Sequence, residues 1–307
     1  MNSSVVKPSS SSGKGFEQRG TFNRIIVGLE NEDVARGTIK ITNRIAERFG
    51  ADVFAIHALS PRATIGDYDT IPPALFEQTL TLSKTRFIDL ITAVLGTLPP
   101  RWHVSVTSKG PDAAILDSAR TQNADLIIVG PHGRHGLEQL IFGSVSESML
   151  SRAECPVLAI GPEFAPDGVV WRNVLFASDL DQTGISAADY AASIATESHG
   201  NLLLLHVAKD KPDAQGGTRK WVEDNICIHL QHLFSPTVLA GCRHETLVAY
   251  GDPADEILAA AQAKRADLIV LGVGNHRPHS DHAPWRTVTR VLRYATCPVL
   301  NVSTRCQ

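Results

Sequence analysis

Two phrases occur twice along this chain, at the same separation. Ala124-Asp125-Leu126-Ile127-Ile128-Val129-Gly130 precedes Cys155-Pro156-Val157-Leu158, and Ala266-Asp267-Leu268-Ile269-Val270-Leu271-Gly272 precedes Cys297-Pro298-Val299-Leu300, with 25 residues from glycine to cysteine in each case. A duplication of this kind restricts the fold to two copies of one supersecondary plan. Other matches extend it. Arg24 to Glu30 stands 149 residues before Asn173 to Asp179, and His57 stands the same distance before His206. From Gly110-Pro111, which matches Asp252-Pro253, the offset is 142, so copy two lacks a net seven residues in between, within or beside a helix.

Within a copy, short aliphatic runs alternate with longer amphipathic stretches. Copy one reads as strands over 24–30, 52–58, 102–107, 125–130 and 156–160. Between them, apolar residues such as Val34, Ile39, Ile41, Ile45 and Phe49, or Ile115, Leu116 and Ala119, recur at helical spacing. Strands joined by helix-length crossovers imply a parallel sheet covered on both faces. The expected fold class is α/β, with two tandem open-sheet, parallel five-stranded, Rossmann-like domains. At 307 residues the chain is long enough for two such cores. Residues 1–22, with Ser9 to Ser12 in one run, are expected to form a disordered tail, because they offer too little apolar surface to offset ordering entropy. Prolines and glycines from Gly161 to Gly168 mark the boundary. The domains are then 23–161 and 169–303, with a linker at 162–168 and a tail at 304–307.

A formal charge of -3 and the absence of a Lys/Arg stripe argue against a nucleic-acid partner. No apolar run reaches 18 residues and the start lacks a signal-peptide core, so a cytoplasmic protein without a membrane partner is expected. Five cysteines, none spaced Cys-x-x-Cys, do not describe a disulfide framework. Cys155 and Cys297, at the start of interior strands, read as small hydrophobes. His57 and His206, each ending an aliphatic run, read as satisfied sheet-end histidines.

Ligands of open parallel sheets bind at the carboxyl ends of strands, where strand order reverses. In copy one the segment leaving such a strand is rich in glycine. Gly130, Gly133 and Gly143-Ser144 are spaced G-x2-G-x9-G-S. Glycine lets a phosphate approach the backbone, and a helix starting near Ser144 would aim free N–H groups and the positive end of its dipole at the anion. His132, Arg134 and His135 offer further donors. Ser144 with Glu147 also reads as a capping box, which needs no ligand. The string is not the Walker A pattern and no lysine follows it, so local chemistry leaves both readings open.

The whole pattern, from about residue 24 to 302 and across both copies, resembles the universal stress protein family. The strand-borne His57-Ala58 and His206-Val207, the Gly-Pro or Asp-Pro start of the third helix, and the paired Cys-Pro-Val-Leu strands are similar to that family as well. The resemblance implies an adenine nucleotide alpha hydrolase-like fold and, in members with G-x2-G-x9-G-[ST], ATP as ligand, with or without magnesium. Carried over by position, it gives phosphate and ribose contacts at Gly130, His132, Gly133, Gly143, Ser144, Val145 and Ser146, and an adenine side bordered by Gly28, Ala58 and Val129. Glu30 stands where the family usually has aspartate, one methylene longer. It also implies stress response as the biological setting, and dimerisation through the last strands. On one chain this becomes an intramolecular domain pair, while a larger homodimer and further protein partners stay open.

Copy two reverses the combination. Asp179 matches the family aspartate, but Asn275, Trp285 and Arg286 replace Gly133, Gly143 and Ser144 at unchanged loop length. An indole at the closest approach to phosphate obstructs it, so copy two is not expected to bind ATP in the same manner. His276, His279 and His282 in its loop lack a standard metal spacing and read as solvated histidines. Three functions follow: an ATP-binding stress-response protein regulated by nucleotide, a slow ATPase or autophosphorylating enzyme, and a nucleotide-free interaction scaffold. No nucleophile elbow or distinguished carboxylate pair argues for further catalysis.

Overall fold

Strands and helices alternate in both copies as the apolar periodicity requires. The first lobe consists of β1 (Arg24–Gly28), α1 (Glu32–Phe49), β2 (Asp52–Ala58), α2 (Pro73–Leu95), β3 (Trp102–Thr107), α3 (Pro111–Thr121), β4 (Leu126–Val129), α4 (Ser144–Arg152) and β5 (Val157–Ala159). The second consists of β6 (Asn173–Ala177), α5 (Thr183–Glu197), β7 (Asn201–Ala208), α6 (Thr218–His232), α7 (Pro236–Gly241), β8 (Arg243–Tyr250), α8 (Pro253–Ala263), β9 (Leu268–Val273), α9 (Ala283–Tyr294) and β10 (Val299–Ser303). The computed structural model describes residues 21–30, 32–59, 73–130, 144–161, 164, 171–181, 183–211, 218–273, 283–303 and 305–306. The expected tail up to residue 20, the linker apart from Phe164, and the histidine loop lie outside the described residues.

All ten strands join one sheet, in the order β3-β2-β1-β4-β5-β10-β9-β6-β7-β8. Within each lobe the pairs are parallel, and β1 and β4 are neighbours, as are their counterparts β6 and β9. The lobes meet where β5 and β10 pair antiparallel, Leu158 opposite Leu300. Each last strand covers the edge of the other, which removes two surfaces open to unwanted pairing.

Alternate residues of the strands feed two cores. Ile25, Val27, Leu126, Ile128, Val174 and Phe176 face a layer built from α1, α2, α5 and α6. Ile26, Ile127, Val129, Leu175, Ile269 and Leu271 face the layer of α3, α4, α8 and α9. Each core runs through both lobes. Burial on both faces is why the strands read as unbroken aliphatic runs rather than alternating ones.

The net deficit in copy two falls in the connections on either side of this crossover, which run over 59–72 and 96–101 in the first lobe and over 209–217 and residue 242 alone in the second, while the helices between them also differ. Where the first lobe has the 23-residue α2, the second has α6 and then a separate short α7. Pro236 disfavours helical geometry at Ser235, which sits extended at φ -70, ψ 144, with its hydroxyl accepting from Val238 N. Phe22 also departs from expectation. Assigned to the tail by composition, it is 1% exposed, edge-on to Phe49 and stacked against Tyr190 of the other lobe.

The aspartate of each repeated phrase has a structural role. Asp125 accepts from the backbone N–H of Asn23 and Arg24 at 2.8 and 3.1 Å, and Asp267 accepts from Arg172 and Asn173, both at 2.9 Å. Each carboxylate thus anchors the amino end of the first strand of its lobe. Burial raises the pKa of Asp125, and the two N–H donors oppose that rise.

Candidate functional site

The β1–β4 ladder ends at Gly28 opposite Val129. Beyond that pair the chain leaves β1 towards α1 on one face and leaves β4 towards α4 on the other, so a crevice opens at the carboxyl ends of the two strands. This is the switch point at which open parallel sheets bind ligands. Gly28 and Val129 end the two strands, Gly130 follows β4, Ala58 ends the neighbouring β2, and Glu30 follows β1 with Oε2 buried. An added Cβ at Gly130 would stand 2.3 Å from Thr38 Oγ1 of α1, so this close packing of helix against strand end requires glycine.

α4 supplies the chemistry. Its first helical residue is Ser144, so the N–H groups of Ser144, Val145 and Ser146 fall in the first turn, where no carbonyl of the same helix reaches them. Val145 and Ser146 are buried, at 8% and 2% exposure. Ser144 and Glu147 both fall in the opening turn of α4. The positive end of the α4 dipole lies at this first turn. Of the residues singled out from sequence, Gly28 and Val129 end β1 and β4, Gly130 and Glu30 follow them, Ala58 ends β2, and Ser144, Val145 and Ser146 open α4, with Val145 and Val129 in the same core. His132, Gly133 and Gly143 lie outside the described residues.

His57 belongs to the framework of the site. Its Nδ1 is 2.9 Å from the Leu29 carbonyl, and its ring lies 4.1 Å from that of Phe87. Burial lowers its pKa, against the opposing effect of the backbone hydrogen bond to Leu29. A neutral imidazole donating from Nδ1 then ties the end of β2 to the turn that carries Glu30. His206 repeats the bond in the second lobe, with Nδ1 2.9 Å from the Ser178 carbonyl.

The corresponding place in the second lobe differs in backbone as well as side chain. α9 starts at Ala283, three residues before Arg286, the counterpart of Ser144. The N–H groups of Arg286, Thr287 and Val288 therefore lie beyond the first three helical positions and bond within the helix. Pro284, in the new first turn, has no N–H at all. Sequence reasoning singled out the indole of Trp285 as the obstacle. The longer helix also engages the three equivalent amides and moves its free N–H groups upstream, and no sequence pattern other than Pro284 near a helix start signalled it.

The buried cysteines are framework too. Burial pushes the Cys155 thiol far above its ordinary range and Cys297 up to about 12. Among the described residues no group of three histidine, cysteine or acidic side chains is placed to hold a metal, and no helix is long and apolar enough to cross a membrane.

With this geometry in view, the relatives of the chain can be compared. The Universal stress protein family profile matches residues 21–161 and again 171–303. A universal stress protein of Methanocaldococcus jannaschii is 26% identical over 139 residues, covering 45% of this chain and 82% of that protein. A universal stress protein structure from Archaeoglobus fulgidus superposes with a TM-score of 0.62 at 18% identity, covering 91% of this chain and 98% of the other. One from Pseudomonas aeruginosa gives 0.60 at 16% identity, covering 94% of each chain. At such identities these two structures speak to the fold, and the fold is the same tandem α/β arrangement. The chain belongs to the universal stress protein family, with two copies of the family domain in tandem.

Proposed function

We propose that the first lobe binds ATP in the crevice between β1 and β4, and that the protein acts in stress response through the nucleotide state of this lobe. The observation that carries this reading is where α4 begins. Its first turn directly follows Gly143 and leaves the N–H groups of Ser144, Val145 and Ser146 without partners in the helix, whereas the equivalent N–H groups of Arg286, Thr287 and Val288 fall inside the sister helix. In this reading Ser144, Val145 and Ser146 hold phosphate through their backbone. His132, Gly133 and Gly143 complete the loop over it. Gly28, Ala58 and Val129 border the base, and Glu30 approaches the ribose.

Magnitudes show why both ends of the nucleotide are needed. Hydrogen bonds to a charged group contribute about 1.5–3 kcal/mol each, so three amides give roughly 5–9 kcal/mol. Association alone costs about 4 kcal/mol or more, and micromolar affinity needs about 8 kcal/mol net. Burial of the base against Ala58 and Val129 has to make up the difference.

The test is calorimetric titration of the full chain with ATP, alongside mass spectrometry of nucleotide released from the freshly purified protein. Gly143→Trp, which copies the second lobe, is expected to weaken ATP by about 100-fold or more, equivalent to two lost donors. Equal affinity in the variant, or no ATP binding by the parent, would sink the reading.

A further inference from the structure

At the opposite end of the first lobe's strands from the crevice, their amino ends border a cavity of about 760 Å³. Four arginines line it. Arg101 precedes β3 and Arg24 opens β1, two strands away, while Arg120 and Arg152 stand in the last turns of α3 and α4. Asp52, Asp125 and Glu154 line the same space. We propose that this cavity binds a small sugar or polyol that carries two phosphate groups.

The second lobe serves as an internal comparison. Its matching positions carry Asn173, Gln262 and Tyr294 in place of Arg24, Arg120 and Arg152, and Asn201 and Thr296 in place of Asp52 and Glu154, while Arg243 matches Arg101 and Arg265 replaces Asn123. There the two strand-opening side chains bond each other, Asn201 Nδ2 donating to Asn173 Oδ1 at 2.9 Å. The same strands and helix ends thus form without three of the four arginines, so the fold does not require them. Their guanidiniums also have donors to spare. Among the described residues Arg24 makes no ion pair, Arg120 meets Glu154 through Nε at 3.2 Å, and Arg152 meets Asp112 through Nη1 at 3.2 Å. Arg101 donates to the Gly50 carbonyl and lies 3.9 Å from Asp52. Each guanidinium has five N–H groups in a fork that suits phosphate, and ion pairs as exposed as these contribute little and yield to a better anion. Strand spacing puts the starts of β1 and β3 about 10 Å apart, too far for one phosphate to span and suitable for two. The carboxylates set the rest of the ligand. Asp125 spends both oxygens on the amides of Asn23 and Arg24, whereas Asp52 and Glu154 repel a bare polyanion and accept from the hydroxyls of a sugar. The negative ends of α1, α3 and α4 also face this end of the sheet, so the guanidiniums have to supply the attraction for phosphate. No aromatic side chain lines the cavity to stack on a base, and its volume falls in the range of about 300–1,000 Å³ that holds small ligands.

This inference does not rest on ATP binding at the carboxyl ends, and a site-resolved measurement keeps the two apart. In the full chain with Ile, Leu and Val methyl groups isotope-labelled, fructose 1,6-bisphosphate is expected to shift the methyl resonances of Leu116, which lines the cavity, saturably and with a Kd on the order of 0.1–1 mM. Val129 and Val145, which report on the crevice, are expected to stay in place. Arg24→Asn and Arg120→Gln are exposed changes that copy the second lobe, and each should weaken binding by about three- to tenfold. Arg243→Gln, in the second lobe, should leave it unchanged. Fructose alone and pyrophosphate alone, each offering one half of the recognised chemistry, should bind more weakly by about tenfold or more. The proposal is overturned if fructose 1,6-bisphosphate up to about 10 mM leaves Leu116 unmoved, if it moves Val129 and Val145 instead, or if fructose or pyrophosphate matches its affinity. It is equally overturned if the double variant Arg24→Asn with Arg120→Gln binds as the parent does, or if Arg243→Gln weakens binding as much.

Discussion

His57 shows how a residue that looks chemical at the level of a single side chain is fixed by its surroundings. Its ring is half-buried against Phe87, its Nδ1 bonds the Leu29 carbonyl, and burial lowers its pKa below 6.5. A histidine with a depressed folded pKa binds fewer protons folded than unfolded. Its contribution to stability is therefore complete above about pH 6.5 and is lost as the pH falls towards the folded value. The expected outcome is that the melting temperature of the parent drops more between pH 7 and pH 5.5 than that of His57→Gln, and equal pH slopes would refute this. The same environment argues against a base: the nitrogen facing Leu29 has its partner already. Asp125 and Asp267 make the complementary point. Their place before an aliphatic run was plain in the sequence, but that each reaches back about a hundred residues to two strand-opening amides was not.

At the scale of elements, α4 and α9 present their free backbone donors at different positions. The two helices end at equivalent residues, Arg152 and Tyr294, and differ by three residues at the start. Extending a helix by nearly one turn moves its free N–H groups by about 4.5 Å along the axis and buries the old ones in i to i-4 bonds. Amide hydrogen exchange measures this directly. Arg286, Thr287 and Val288 are expected to exchange at least tenfold more slowly than Ser144, Val145 and Ser146 in the nucleotide-free protein, and ATP should slow the latter three only. Comparable protection of both sets without nucleotide would contradict the helix boundaries. The glycine spacing indicated where the first helix starts. It did not indicate that losing those glycines lets the second helix begin earlier.

For the whole molecule, the decisive contact is the antiparallel β5–β10 junction, which turns two sheets into one. Other bonds cross it. Arg48 at the end of α1 donates to the Glu197 carbonyl at the end of α5, and Arg305 donates to the Ser151 carbonyl near the end of α4 at 2.7 Å. Both cations sit at helix carboxyl ends, where the dipole favours them. Asn301 is the discordant residue. It is 3% exposed in β10 opposite Val157, its Oδ1 has no hydrogen-bond partner among the described residues, and Nδ2 reaches only the Val299 carbonyl at 3.3 Å. A buried unsatisfied amide costs about 1–3 kcal/mol, so Asn301→Val is expected to raise stability by about 1–2 kcal/mol in urea unfolding. A destabilised variant would mean that Asn301 has a partner outside the described residues.

The sequence by itself determined the duplication, the parallel α/β class, the burial of the strands on both faces and the placement of Gly28, Val129 and Gly130 at a strand end. All of these follow from local periodicity and from the backbone freedom of glycine, which are written in neighbouring residues. Tertiary structure alone decided that Phe22 leaves the tail to stack on Tyr190, that the repeated aspartates anchor β1 and β6, and that α9 gains a turn. These depend on groups far apart in the chain, or on the balance between a loop and one more helical turn, and no local pattern carries that balance.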